Sequence, residues 1–142
     1  MEQLAVDTRR ASFRCLVADD SLFARKHIAK IVSRIGVNVI GEAVNGREAV
    51  EQYFRLRPDL VLLDITMPEL DGVEALQKIL EGDGNAKVVM VSSIGHREMV
   101  NKAISLGARH FITKPYEPDY VTMIVRSLID AEGSGDSCGT NI

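Results

Sequence analysis

The chain has 142 residues, 46% of them hydrophobic and 26% charged, which suits one globular domain with a real core and excludes a disordered or fibrous protein. A net charge of −3, with lysines and arginines scattered rather than gathered into a stripe, argues against a nucleic-acid surface. The start, "MEQLAVDTRR", has no apolar run of signal-peptide length and no later run approaches a membrane span, so the expectation is a cytoplasmic protein without a membrane partner. Cys15 sits in an apolar run and Cys138 in a Gly/Ser-rich stretch, which suggests neither a disulfide framework nor a zinc cluster.

Five strand-like runs alternate with helical periodicity. "FRCLVA" (13–18) is followed by Ile28, Ile31, Val32 and Ile35 at helical spacing, with Gly36 expected as the C-cap. "VNVIGEA" (37–43) precedes Ala49, Val50, Tyr53 and Phe54. "LVLL" (60–63) is the run of a strand buried on both faces, and Asp71 and Glu74 after it have capping-box spacing ahead of Val73, Leu76, Ile79 and Leu80. "KVVMVS" (87–92) leads to Met99, Val100, Ala103 and Ile104, closed by Gly107. "RHFIT" (109–113) leads to Val121, Ile124, Val125 and Leu128, with Pro118 placed for a first helical turn. Five such units joined by short connections predict an α/β fold, a doubly wound flavodoxin-like (βα)5 sandwich whose parallel five-stranded sheet runs in the order 2-1-3-4-5. Residues 13–131 form this domain; 1–12 and the Gly/Ser-rich 132–142 are expected as flexible tails, the second equally readable as a cut linker. No G-x-G-x-x-G follows the first strand, so a dinucleotide site has no support.

The polar residues gather at the strands' carboxyl ends, where open parallel sheets bind ligands. Strand 1 ends in Asp19-Asp20, strand 3 in Asp64, strand 4 in Ser92-Ser93 and strand 5 in Thr113-Lys114-Pro115. Singly, each has a plain structural reading: Asp20 or Ser21 caps a helix, a serine satisfies a turn, Lys114 is solvated. Together, three carboxylates at one edge repel one another unless a cation sits among them. Oxygen ligands without His or Cys favour Mg²⁺, with Mn²⁺ as the substitute, over Zn²⁺. A carboxylate of ordinary pKa ~4 is an anion at neutral pH and needs no general base to act as a nucleophile. Asp64, ending a rigid buried strand, is thus the candidate acceptor of a phosphoryl group, a transfer that asks for positioning and charge neutralisation.

"LVADDS", "LLDITMPELDG", "VVMVSS" and "FITKPY", in this order, resemble the receiver domain of bacterial two-component response regulators over residues 13 to about 130. Within that family "VIGEAVNGREAVEQY", "DITMPELDG" and "GARHFITKPY" are most similar to single-domain chemotaxis-type regulators. The resemblance implies that Asp64 is phosphorylated by a histidine kinase or phosphotransfer protein, with Mg²⁺ held by Asp20 directly, Asp19 mostly through water, Asp64, and the Thr66 backbone carbonyl. It places Ser92 as the switch hydroxyl, Lys114 as the phosphate-contacting lysine, and Lys114-Pro115 as a cis peptide bond. It makes Phe111 the aromatic switch, expected to turn inward when Ser92 moves toward the phosphoryl group; a core aromatic that hardly moves is the alternative. Thr66 and Ile94 match the positions that tune loss of the phosphoryl group. Neither offers an amide or carboxylate to orient water, so slow self-dephosphorylation is expected.

Signalling would run through the face of the fourth helix, fifth strand and fifth helix to a downstream target, the flagellar switch being one candidate, with a phosphatase as a further partner. On this reading the chain is no turnover enzyme, reacting only with small phosphodonors and losing its own phosphoryl group. The alternatives are the receiver of a longer regulator, a pseudo-receiver that only binds, and an aspartyl-phosphate phosphohydrolase. The last needs a cap and a second carboxylate where Thr66 stands. His27, His96 and His110 form no site by spacing.

Overall fold

The inner strands appear where aliphatic residues run without polar interruption, because a strand covered by helices on both faces must be dry on both, while the two edge strands are only part-buried and carry polar residues. The computed structural model describes residues 13–93 and 95–134; what was expected of Ile94, of residues 1–12 and of residues 135–142 lies outside the described residues. The strands are β1 (Arg14–Ala18), β2 (Asn38–Ala43), β3 (Leu60–Asp64), β4 (Val88–Ser93) and β5 (His110–Lys114), each within one residue of its expected run. They pair in parallel in the order β2-β1-β3-β4-β5. Between and after them lie α1 (Leu22–Ser33), α2 (Gly46–Leu56), α3 (Gly72–Gly82), α4 (Arg97–Leu106) and α5 (Pro118–Ser134).

Alternation along each strand sorts the core into two layers. Cys15, Val17, Leu60, Leu62 and Val91 pack with Ile28, Ile31 and Val32 of α1 and Val121, Val125 and Leu128 of α5. Leu16, Leu63 and Met90 face the other way, onto Ala49 and Tyr53 of α2, Leu76 and Ile79 of α3, and Ala103 of α4. Every residue of β3 is buried, the terminal carboxylate included. Each of its leucines contributes about 2 kcal/mol of burial, enough to hold a charged residue at the strand's end.

Local signals start most of the helices. Ser21 caps α1 by accepting from the Ala24 N–H at 3.2 Å, and Asn45 caps α2 by accepting from the Glu48 N–H at 2.8 Å. Asp71 and Glu74 form a complete capping box on α3. Two ends differ from expectation. The C-cap of α1 is Arg34 and not Gly36; Gly36, at φ 86°, makes the reversal into β2 two residues later, while the Val37 N–H reaches back to the Val32 carbonyl. α5 continues to Ser134, three residues past the expected boundary at 131, because Ala131 and Glu132 are good helix formers and no breaker intervenes before Gly133. One close approach matters for the site: a Cβ on Gly72, at the start of α3, would overlap the backbone carbonyl oxygen of Asp64.

Candidate functional site

The crevice lies where the chain leaves β1 and β3 toward opposite faces of the sheet. Ala18 pairs with Leu63, so the next residues along, Asp19 and Asp64, are brought to one edge. Both are buried, whereas Asp20 is exposed at the mouth. A carboxylate oxygen from each of the three lies within 4.8 Å of the others. At that separation two full charges repel by about 3 kcal/mol at an effective dielectric of ~20, so the site is electrostatically loaded.

β5 supplies the counter-charge. Its register sets Lys114 beside Ser93, and the Lys114 Nζ donates to Asp19 Oδ2 at 2.9 Å and stands 3.5 Å from Asp64 Oδ2. The Lys114–Pro115 peptide bond is cis. Burial alone would lower the Lys114 pKa, but the hydrogen bond to Asp19 and the charges of Asp64 and Asp19 outweigh it and raise it. Asp64 is pushed up to about 6, first by burial and then by the Asp19 charge, against the pull of Lys114 and of the Thr66 N–H that binds its carboxylate. Lys114 therefore binds Asp19 more closely than Asp64. Asp64 is the less neutralised of the two buried anions.

Asp19, Asp20, Asp64 and Lys114 are thus assembled at one point. Thr66 adjoins Asp64 through its N–H. Ser92 is buried on the neighbouring strand, but its hydroxyl donates to the Ser93 carbonyl at 2.9 Å rather than to the acidic cluster. Phe111 is 41% exposed and, with Ser92 and Thr113, lines the open cleft between β5 and α4; it stands outside the site. The donor set fits a hard dication: oxygen ligands only, one of them open to solvent, and no His or Cys in the cluster.

Sequence reasoning missed Arg25 and Glu42. Arg25 Nε donates to Glu42 Oε1 at 2.7 Å and its Nη1 to the Asp19 carbonyl at 2.8 Å. The available signal was the glutamate inside the otherwise apolar "VIGEA", since an acid within a strand needs a partner; that the partner is Arg25, when Arg34 and Arg47 are nearer in sequence, is set by how α1 packs beside β2.

Fold and site together define a doubly wound domain with an acidic, cation-suited crevice at the β1/β3 switch point, closed by a lysine from β5. Residues 15–126 match the response regulator receiver domain, and the chain belongs to that family. It is similar to the chemotaxis protein CheY of Thermotoga maritima, 47% identical over 108 residues that cover 76% of this chain and 90% of the relative. A protein-glutamate methylesterase/protein-glutamine glutaminase of Archaeoglobus fulgidus is 46% identical over 105 residues, 72% of this chain but 30% of that protein. Among solved structures, the CheX-CheY-BeF3-Mg complex from Borrelia burgdorferi contains a chain 40% identical, with a TM-score of 0.78 over 82% of this chain and 88% of that one. The fold is the flavodoxin-like one of CheY-type receivers, which are signalling proteins. Among the described residues no helix is long and apolar enough to cross a membrane.

Proposed function

We propose that this receiver accepts a phosphoryl group on Asp64 from a histidine kinase or phosphotransfer protein, with Mg²⁺ required, and thereby switches its affinity for a downstream target in chemotaxis or motility signalling. The observation that carries the reading is the clustering of Asp19, Asp20 and Asp64 within 4.8 Å with Lys114 across two of them. The Borrelia relative, crystallised with CheX, BeF3 and Mg, supports the same metal and a partner that recognises the domain.

In the transfer, an Asp64 oxygen forms a bond to phosphorus as the donor's P–N bond breaks. The electron pair stays on the imidazole nitrogen, which takes up a proton, and an acyl phosphate remains on Asp64. Asp19, Asp20, Asp64 and the Thr66 carbonyl would hold Mg²⁺, which when bound supplies positive charge against the phosphoryl oxygens. Lys114 needs only to shift its ammonium from Asp19 toward the new dianion, exchanging one anionic partner for another. The Ser92 hydroxyl, released from the Ser93 carbonyl, turns to a phosphoryl oxygen. Phe111 then moves inward from the cleft, and the α4–β5–α5 face is remodelled for the target, the flagellar switch being one candidate. Thr66 and Ile94 offer neither a carboxylate nor an amide to orient an attacking water, so self-dephosphorylation is slower than in relatives that carry such groups. The setting is the cytoplasm.

The test is intact mass after incubation with acetyl phosphate. One phosphoryl adduct that needs both Mg²⁺ and Asp64, absent in Asp64→Asn, is expected; no adduct on folded wild type overturns the reading, and continuous turnover of the donor would point to a phosphohydrolase. A receiver within a longer regulator is the second reading, favoured by the Archaeoglobus relative, in which the matching segment is 30% of the protein.

A further inference from the structure

Among the three clustered carboxylates, Asp20 alone is exposed, and among the described residues no donor binds it. With no side-chain partner among them to hold it, what places it is the backbone, which fixes where its Cα–Cβ bond starts and points. That backbone is a three-residue connection, Asp19–Ser21, which has left the sheet after Ala18 and joins α1 at Leu22. Such a connection would be loose, yet here each polar group of Asp19 is taken. Its N–H donates to the Ala43 carbonyl at 3.0 Å, Oδ1 accepts from the Ser21 N–H at 2.9 Å, and Oδ2 accepts from Lys114 at 2.9 Å. The remaining group, the Asp19 carbonyl, accepts from Arg25 Nη1 at 2.8 Å.

Arg25 is itself fixed. Its side chain is 11% exposed, and Nε donates to Glu42 Oε1 at 2.7 Å from the next strand, where Glu42 lies beside Val17 in the sheet register. The Glu42 carbonyl is in turn held by the Gln52 amide of α2 at 2.7 Å. One guanidinium thus ties α1, β2 and the Asp19–Asp20 peptide together with two donors at a fixed angle, which an ammonium on a flexible stem cannot reproduce. Glu42 has a second role: an unneutralised arginine this close to the crevice would repel a dication, and Glu42 opposes that charge at 2.7 Å while the exposed Lys26 ammonium stands 3.9 Å from its other oxygen.

We infer that Arg25, held and neutralised by Glu42, is a positioning residue for metal binding: it fixes the Asp19–Asp20 peptide and so aims the Asp20 carboxylate at the cation. This deepens the reading under Proposed function and rests on it. The reacting atoms are not touched, so the effect belongs to cation affinity and not to the transfer once the cation is bound.

The experiment uses the full chain. Metal-free wild type, Arg25→Lys, Arg25→Gln and Glu42→Gln are titrated with Mg²⁺ by calorimetry, with urea unfolding in chelator alongside and acetyl phosphate labelling at graded Mg²⁺. Arg14→Gln, a lesion at the opposite end of β1, serves as the stability control. Each of the three site variants is expected to raise the Mg²⁺ Kd about tenfold and to move the half-saturating Mg²⁺ for labelling by the same factor, with the plateau rate retained. Arg14→Gln is expected to lower stability and leave the Kd alone. A Kd within about twofold of wild type in Arg25→Lys and Glu42→Gln overturns the inference, whatever stability they lose. An equal loss of affinity in Arg14→Gln also overturns it, since general loosening would then suffice. If wild type binds no Mg²⁺, the reading beneath it fails first, and the two failures are distinct.

Discussion

Removing the charge of Asp64 should strengthen the metal-free fold at neutral pH, although the residue is buried and sits at the end of the central strand. The magnitude follows from its titration. Its carboxyl is pushed from the usual 3.8 to about 6, by burial first and by Asp19 second, with Lys114 and the Thr66 N–H already pulling the other way. The folded state therefore holds this proton more tightly than the unfolded chain, and between the two values the folded state binds more protons. Stability from this group is full below the unfolded pKa and is lost as pH rises through about 6. At 1.36 kcal/mol per pH unit the two-unit gap gives about 3 kcal/mol, and solvent at the crevice mouth screens part of it, leaving roughly 2 kcal/mol. Asn keeps the shape and an oxygen for the Thr66 N–H while abolishing the charge. Asp64→Asn should thus be more stable than wild type by about 2 kcal/mol at pH 7.5, about 7 °C in Tm for a domain of this size.

The assay is urea and thermal unfolding of both proteins in chelator, repeated down the pH scale. The gap should close toward about pH 4, where wild type carries the proton itself. Added Mg²⁺ should narrow it from the other side, because binding to the folded state stabilises wild type by mass action. Asp64→Asn equal to or less stable than wild type at neutral pH, or a gap that ignores pH, would refute the claim that this carboxylate is held in an unfavourable charge state.

Three further outcomes follow from packing and backbone geometry. Gly72→Ala places a Cβ on the Asp64 carbonyl oxygen, a backbone atom that cannot swing away, and should lose about 3 kcal/mol or more and disturb Mg²⁺ binding; a circular-dichroism melt within about 1 °C of wild type would contradict it. Glu69 is a non-glycine residue at φ 68°, and its exposed pairing with Arg47 is of small value, so Glu69→Asn should raise the urea midpoint by the equivalent of about 0.5–1 kcal/mol; a lower midpoint would mean that the Arg47 pair outweighs the strain. Arg14 donates to the carbonyls of Leu56 and Arg57, both at 2.6 Å, closing the C-terminus of α2. Arg14→Ala should therefore lose about 2 kcal/mol without changing the urea m-value.

The strands and the site's location were legible because both follow from one constraint. A parallel strand covered on both faces can be polar only where it ends, so Asp19 and Asp64 had to fall at the carboxyl edge once the runs "CLVA" and "LVLL" were identified, and Lys114 joins them at the end of "HFIT", a part-buried edge strand. Less legible was whatever depends on which way a side chain turns. The Ser92 hydroxyl bonds its neighbour's carbonyl, and nothing in "VVMVSS" distinguishes that rotamer from one aimed at Asp64. Arg25 and Glu42 meet across 17 residues through a register that includes an irregularity between Cys15 and Leu16, where Val39 and Gly41 are the successive partners. A pattern of apolar positions carries no such register. The end of α1 was misplaced for a related reason: Gly36 does take the left-handed turn that glycine favours, but from Arg34 on the chain has already tightened from α-helical bonding to bonds three residues back.

The same charge that weakens the fold makes the site chemically competent. One lysine, paired with Asp19 and Asp64 and closer to Asp19, stands against a cluster of three carboxylates, so the crevice keeps an excess of negative charge suited to a dication and leaves Asp64 the less neutralised. With its carboxyl pushed up to about 6, Asp64 is still mostly ionised at neutral pH, as the proposed phosphoryl transfer requires of it. A second lysine in the cluster would relieve the repulsion and stabilise the fold. On the proposed function it would also compete with the cation and with the phosphoryl group for the same oxygens. The buried aliphatic frame of β1 and β3 is therefore what permits the charge imbalance: without that frame, repulsion of a few kcal/mol would splay the strand ends instead of being held for binding.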